Sequence, residues 1–342
     1  MKIGNKKISN NSKPLLIAEI GINHNGDLEL AKKMSISAIE NGADIIKFQT
    51  HLVEHEMLNL QEKQKASHVQ GSLYQILKQC SLSLKAHFEL KNLCESKNKI
   101  FMSTPFSVQA VELLSKIGVK AFKIGSGETN NYHFVEHILK KKKTTLISTG
   151  TSSWQDCKKF SNRFKNYKDQ IILLHCISNY PTRLRDANIK VIERIKNELK
   201  FTPGFSDHSR DNFSSIASIV AGAKVIERHF TISRSLPGID QSSSLEPHEF
   251  KDLKNNLDKI FQTLGSSKNV NLEASKVIKG FSQSVVTIRN IKKGDKLIAG
   301  KNIWYKRPGS GINCNKLFEI NGLLARKNLK KNQLVKISDF KK

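Results

Sequence analysis

The chain has 342 residues, 38% of them hydrophobic, enough to bury a sizeable core in one large domain or two. No run approaches the roughly 18 apolar residues of a membrane helix, and the first thirteen residues are polar and lysine-rich, so neither a membrane-spanning helix nor a secretory leader is expected and the expected compartment is the cytoplasm. A formal charge of +27, from 57 Lys and Arg against 30 Asp and Glu, favours phosphates, anionic sugars or nucleic acid, but the lysines are spread and no aromatic platform is interleaved with them, so nucleic acid is not an expected partner.

In chain order, short apolar runs alternate with helix-length segments: residues 15–20, 44–50, 100–104, 121–126, 145–149, 171–175, 202–208 and 224–229. The segments between them space apolar residues by three and four, as in Leu30, Met34 and Ala38 or Val111, Leu114 and Ile117. Eight strand–helix units in about 265 residues is the size of a (β/α)8 TIM barrel. A doubly wound open sheet is the alternative; the barrel is preferred because polar residues recur at nearly every strand end, where a barrel assembles its active site.

Residues 51–83 exceed an ordinary strand-to-helix loop and read as a substrate cover or a passive insertion. A last barrel helix near residues 247–264 completes a first domain, 1–264, followed by a linker, 265–280. Residues 281–342 change texture, with short β-like pieces broken by Lys293-Gly-Asp295 and Arg307-Pro-Gly-Ser-Gly311, and read as a small β-rich domain. Five scattered cysteines without a C-x-x-C pair read as reduced thiols, mostly buried.

Taken from strand ends alone, the mouth collects Glu19, Lys47, Gln49, Thr104, Lys123, Ser126, Glu128, Ser148, His175, Ser206, His208 and His229. Lys47 and Lys123 sit inside apolar strands, where an unpaired ammonium is costly, so each needs an anion: a ligand phosphate, or Glu19 and Glu128. The turn Gly125-Ser-Gly-Glu128, read as opening a helix, and Ser148-Thr-Gly150 offer backbone N–H groups to that anion. His208 and His229 end two neighbouring strands. Two histidines are too few for a structural zinc but suit an open Mn²⁺ or Mg²⁺, with Asp240 as a nearby oxygen donor to metal or substrate hydroxyls. A phosphate site beside a carbonyl-polarising metal points to carbon–carbon bond formation.

Several stretches carry a family resemblance: Ala18-Glu-Ile-Gly-Ile-Asn-His-Asn-Gly26, Ile46-Lys-Phe-Gln-Thr50, Ser103-Thr-Pro-Phe106, Phe122-Lys-Ile-Gly-Ser-Gly-Glu128, Gly204-Phe-Ser-Asp-His208 and Glu227-Arg-His-Phe230. In these motifs, over nearly its whole length, the chain resembles bacterial sialic acid synthases, which condense phosphoenolpyruvate with an N-acylated mannosamine-type sugar. The resemblance implies Mn²⁺ on His208 and His229; Lys47, Thr104, Lys123, Ser126, Ser148 and Ser206 on phosphoenolpyruvate; Glu19, Gln49, Tyr180 and Asp240 on the sugar; and Glu128 as acid/base. It also implies an antifreeze-like (SAF) C-terminal domain containing Lys306-Arg-Pro-Gly309, and a domain-swapped homodimer in which Arg307 reaches the partner's barrel.

Two places bear on the sugar. Ser178 stands where the N-acetylneuraminate group has Asn, with Asn179 displaced by one, and Ser243-Ser-Leu-Glu-Pro247 is similar to legionaminic acid synthases. His51-Leu-Val-Glu-His-Glu-Met57 and Glu128-Thr-Asn-Asn-Tyr132 are similar to the N-acetylneuraminate group, so N-acetylneuraminate synthase is the leading expectation and legionaminic acid synthase the alternative. A non-catalytic polyanion binder would not need buried lysines facing histidines and glutamates. A condensing enzyme for a phosphorylated sugar would want a second Gly-rich anion cradle, which the sequence lacks.

Overall fold

The computed structural model describes residues 1–9, 11–59, 72–268 and 272–341, which form two compact units, Met1–Gly265 and Ser266–Lys342. Among the described residues of the first unit, eight parallel strands form one sheet: β1 (Leu15–Gly21), β2 (Ile45–Thr50), β3 (Ile100–Pro105), β4 (Ala121–Ile124), β5 (Thr144–Ser148), β6 (Ile171–Cys176), β7 (Thr202–Asp207) and β8 (Val225–His229). Their order is β3-β2-β1-β8-β7-β6-β5-β4, with β3 and β4 side by side at the seam, so the sheet rolls into the TIM barrel rather than the open alternative.

Successive side chains on a strand face opposite ways, and here both faces are buried, which is why the strands are apolar almost throughout. One face of each strand meets the helices: Leu16, Ala18, Phe48, Phe101, Phe122, Ile147, Leu173, Phe205 and Ile226 join the large outer core. The other face fills the barrel with Ile17, Ile45, Met102, Ala121, Leu146, Ile172, Leu174 and Val225, and a two-stranded hairpin (Lys2–Ile3 with Lys6–Lys7) adds Ile3 from the amino end. The fill is tight: a Cβ on Gly204 would lie 2.3 Å from Leu174 and 2.9 Å from the Val225 carbonyl, so β7 needs glycine there.

One step further along each strand the inward face turns polar. Glu19, Lys47, Thr104, Lys123, Ser148, Cys176 and Glu227 stand two residues beyond members of the apolar plug, Ser206 two beyond Gly204, and all line one cavity. The stretches flanking residues 60–71, which lie outside the described residues, pack over this end: Val53, Leu77 and Cys80 bury against Ile22 from the loop after β1, with Met57, Tyr74 and Ile239 around them. The last barrel helix runs Pro247–Thr263 and is capped by a reciprocal Glu246–Glu249 box with proline at its first turn.

In the second unit, β9 (Ser284–Thr287) pairs antiparallel with β10 (Ile303–Lys306), and β11 (Leu324–Ala325) with β12 (Phe340–Lys341). Val285, Ile291, Leu297, Ile303, Leu317, Leu329 and Val335 make its small core. The span 265–280, read from sequence as a linker, contains most of a helix, Leu272–Phe281. No helix among the described residues is long and apolar enough to cross a membrane.

Candidate active site

The carboxyl ends of the strands enclose a cavity of about 310 Å³. Its floor is a buried network of four charges. Lys47 Nζ lies 2.6 Å from Glu19 Oε2 and 3.6 Å from Glu227 Oε2, and Lys123 Nζ lies 3.7 Å from Glu227 Oε1. Lys47 also donates to Thr104 Oγ1 (3.1 Å), Lys123 to Ser148 Oγ (2.7 Å), and Ser206 Oγ to Glu227 (2.8 Å). Two ammoniums and two carboxylates cancel formally, which makes burial tolerable; removal of any one would leave a charge uncompensated.

Glu227 corrects the sequence reading, which paired the lysines with Glu19 and Glu128. Glu19 does meet Lys47, but the carboxylate between the two lysines is Glu227, and among the described contacts Glu128 makes no ion pair with Lys123. The signal was present in the alternation of β8: Val225, Glu227 and His229 share the inward face, while Arg228 points outward into a buried pair with Asp207 at 2.7 Å. Counting strand ends alone passed over a residue two positions inside the end.

The two carboxylates are pushed apart. Burial lifts Glu19 well above the usual carboxylate range, against the opposing pull of Lys47, whereas Glu227, although buried, is held below that range by Lys123 and Lys47. Burial also raises Glu128, at the rim of the cavity. Such divergence within one cavity is the pattern of groups tuned for proton transfer and for charge stabilisation.

Above the floor, the His208 and His229 rings lie 5.5 Å apart, with Tyr180 stacked 4.1 Å from His208 and edge-on to His229 at 5.8 Å. His208 Nδ1 is 2.7 Å from the Ile177 carbonyl, which leaves Nε2 for the cavity side. His229 is buried and pushed down to about 4 by that burial, hence neutral, and its Nδ1 has no hydrogen-bond partner. Asp240 Oδ2 stands 3.7 Å from that nitrogen. A neutral imidazole nitrogen buried without a partner, a second imidazole and a carboxylate fit a divalent ion of borderline hardness. A second grouping, Glu246, His248 and Glu249, also brings ligand-type atoms together. Its carboxylates are already engaged by Arg234 and by the cap of the last barrel helix, so the histidine site is the better fit.

Three positive-φ or turn features shape the rest. Gly21 has φ 57°, and a Cβ there would lie 3.2 Å from Gln49 Nε2, 3.3 Å from Glu19 Oε1 and 3.6 Å from Asp240 Oδ2, so three polar groups converge on the space its missing side chain leaves. The Gly125–Glu128 turn does not open a helix as expected, since the next helix starts at Tyr132; instead Ser126 Oγ accepts from Gly150 N–H at 2.9 Å, tying the two glycine turns together. Ser178 lines the cavity, whereas Asn179 does not, its carbonyl accepting from Thr182 Oγ1 at 2.8 Å.

His175, read as part of the mouth, alternates with Leu174 and Cys176 and so faces the helical layer, against the Ala187 carbonyl (2.8 Å) and stacked near Phe205. Cys176 takes the inward place instead, 3.8 Å from Ser126 Oγ. Gln49, Tyr180 and the remaining barrel residues singled out in the sequence line the cavity, except Asp240, which stands behind His229 and is not among the lining residues. Arg307 lies in the second unit, exposed just past β10, where its Nε donates to the Phe281 carbonyl at 3.0 Å.

A parallel barrel whose carboxyl-end cavity combines an anion floor with a two-histidine donor set is an enzyme of the TIM-barrel class. A family model described as NeuB family matches residues 35–269. The chain is 36% identical, over 95% of its length and 99% of the relative's, to an N,N'-diacetyllegionaminic acid synthase of Campylobacter jejuni subsp. jejuni serotype O:2. A protein of the same name from Legionella pneumophila subsp. pneumophila is 35% identical, over 92% of this chain and 91% of that one. The crystal structure of an N-acetylneuraminic acid (sialic acid) synthetase from Leptospira borgpetersenii serovar Hardjo-bovis, in complex with citrate, is 33% identical with a TM-score of 0.74, covering 81% of this chain and 94% of that one. The chain belongs to the NeuB family, and it is a synthase.

Proposed function

We propose that the protein condenses phosphoenolpyruvate with an N-acylated amino sugar, and that the sugar is 2,4-diacetamido-2,4,6-trideoxymannose, giving N,N'-diacetyllegionaminic acid and phosphate. The observation that carries the choice is the pair of diacetyllegionaminic acid synthases matched over more than nine-tenths of this chain. Ser178, in place of the Asn of the N-acetylneuraminate group, lines the cavity and supports the same choice. The leading sequence expectation, N-acetylneuraminate, therefore becomes the second reading, kept by the sialic acid synthetase structure.

In this reading Lys47 and Lys123, with Thr104, Ser126, Ser148 and Ser206, hold the phosphate and carboxylate of phosphoenolpyruvate. Its enol carbon attacks the sugar aldehyde, forming the carbon–carbon bond. A proton reaches the new alkoxide from Glu128, which lines the cavity and whose carboxyl burial pushes up from the usual carboxylate range. Water then adds, with loss of a proton, to the neighbouring carbon that bears the phosphate, left cationic by the attack, and the tetrahedral product expels phosphate as the C–O bond breaks and the ketone forms. Glu227 stabilises the positive charge that precedes the addition of water. His208, His229 and Asp240 would hold Mn²⁺ or Mg²⁺, which when bound polarises the aldehyde oxygen.

The test is phosphate release from phosphoenolpyruvate with Mn²⁺, with N-acetylmannosamine or the diacetamido sugar as acceptor. Higher kcat/KM for the diacetamido sugar is expected; the reverse preference would move the assignment to N-acetylneuraminate, and no release with either would overturn the synthase reading of this site.

The second unit is proposed to be the antifreeze-like domain of a domain-swapped homodimer, its exposed Arg307 closing on the sugar of the partner's barrel. The Arg307→Ala substitution should raise the sugar's KM about tenfold, the loss of one charge-assisted contact, and leave that of phosphoenolpyruvate unchanged. Mixing it with a Lys123→Ala chain should restore part of the activity through heterodimers; no restoration would count against the swap.

A further inference from the structure

The chain leaves β2 through His51, a buried residue that no step above uses. Its Nε2 lies 3.0 Å from Gln49 Oε1 and its Nδ1 2.8 Å from Glu56 Oε1, and its ring stacks on Phe106 with centroids 4.3 Å apart and planes at 12°. Ser81, from the far side of the covering segment, donates to the His51 carbonyl at 3.1 Å. His51 is therefore clamped on every side without touching the cavity, whereas Phe106 and Gln49 line it.

Gln49 is the residue that this arrangement controls. Its Nε2 donates to Glu19 Oε1 at 3.1 Å, while the other Glu19 oxygen takes Lys47. A primary amide has a donor end and an acceptor end of almost the same shape, exchanged by a half-turn of the terminal torsion. After that half-turn the amide oxygen would face the carboxylate, and the NH2 group would face His51. The Glu19 carboxylate can only accept, so it takes the NH2 end of the amide; Oε1 is then left to His51 Nε2, which meets it as an N–H donor. The half-turn would cost both hydrogen bonds, so the amide is held with its oxygen toward His51 and its NH2 toward Glu19 and the space beside Gly21.

The geometry points to His51 as a positioning residue that fixes the Gln49 amide, and through it the Glu19 carboxyl, for recognition of the sugar acceptor. It also couples that recognition to the covering segment, because Glu56 and Ser81 hold His51 from there. The inference rests on the proposed condensation and on Gln49 facing the sugar.

Steady-state kinetics of wild type, H51A, H51Q, Q49A and the Q49A/H51A pair test it, with phosphoenolpyruvate, Mn²⁺ and whichever sugar wild type prefers. H51A should raise the sugar's KM about tenfold, a 1.4 kcal/mol change, with the KM for phosphoenolpyruvate within about twofold. H51Q, whose amide can still donate to Gln49 Oε1, should recover most of the loss, and H51A should add nothing in the Q49A background, since coupled residues are non-additive. A sugar KM unchanged in H51A, equal losses for both substrates, or full additivity with Q49A would overturn the positioning role while leaving the synthase reading intact. A wild type that turns over neither sugar would overturn the functional reading and this inference with it.

Discussion

Replacement of His208 by Ala is expected to lower Mn²⁺-dependent phosphate release by about a thousandfold, the rate equivalent of the several kcal/mol that carbonyl polarisation supplies. The ring ends β7's excursion into the cavity, anchored by the Ile177 carbonyl and covered by Tyr180, so its removal takes away one of two imidazole donors without touching the apolar plug below. The Ile177 carbonyl loses its partner at a cost of about 1–2 kcal/mol, which a barrel of this size tolerates, and far-ultraviolet circular dichroism should be unchanged. Electron paramagnetic resonance of Mn²⁺ should show weaker binding, and a chelator should reduce wild type to the variant's rate. Retained turnover and Mn²⁺ affinity in H208A would remove the metal role of this histidine.

Glu227→Gln should have the largest effect on stability. In the folded protein its carboxylate serves both Lys47 and Lys123, and Lys47 alone has a second anion in Glu19. The substitution keeps the shape and the Ser206 contact but leaves Lys123 buried without a counter-charge, a loss of about 3–5 kcal/mol. Burial already lowers the Lys123 pKa, with Glu227 the chief opposing influence. Without that carboxylate it falls further below its unfolded value, so the variant gains stability relative to wild type as pH rises and Lys123 sheds its proton, and the deficit is greater in neutral than in alkaline buffer. Inorganic phosphate should raise the variant's melting temperature more than that of wild type, because it supplies the missing anion. Equal melting temperatures in the absence of phosphate would show that the network contributes nothing to the apo fold.

Much of this site was legible before folding because strands impose a period of two. An inward lysine at position 47 or 123, two residues beyond an inward apolar residue, announces a polar mouth whichever barrel neighbours it has, and histidines closing successive strands announce convergence. The same rule, applied to whole strands and not only to their ends, identifies Glu227 and turns His175 away. Other features have no local signature. The pairing of Lys123 with Glu227 spans the barrel interior, the approach of Asp240 to His229 depends on a loop past β8, and the clamp on His51 joins Glu56 and Ser81 from either side of a long excursion.

The sequence by itself determined the eight-strand rhythm and the lysines and histidines of the mouth, because each follows from residue type and spacing along a single element, and its motifs, taken in order along the chain, carried the resemblance to the family. Only the tertiary structure decided which carboxylate neutralises which lysine, which histidine nitrogen is left without a partner, and which way the Gln49 amide is held. Those are relations between side chains far apart in the chain, fixed by strand register and barrel closure, and Coulomb and hydrogen-bond energies depend on the distances that closure sets.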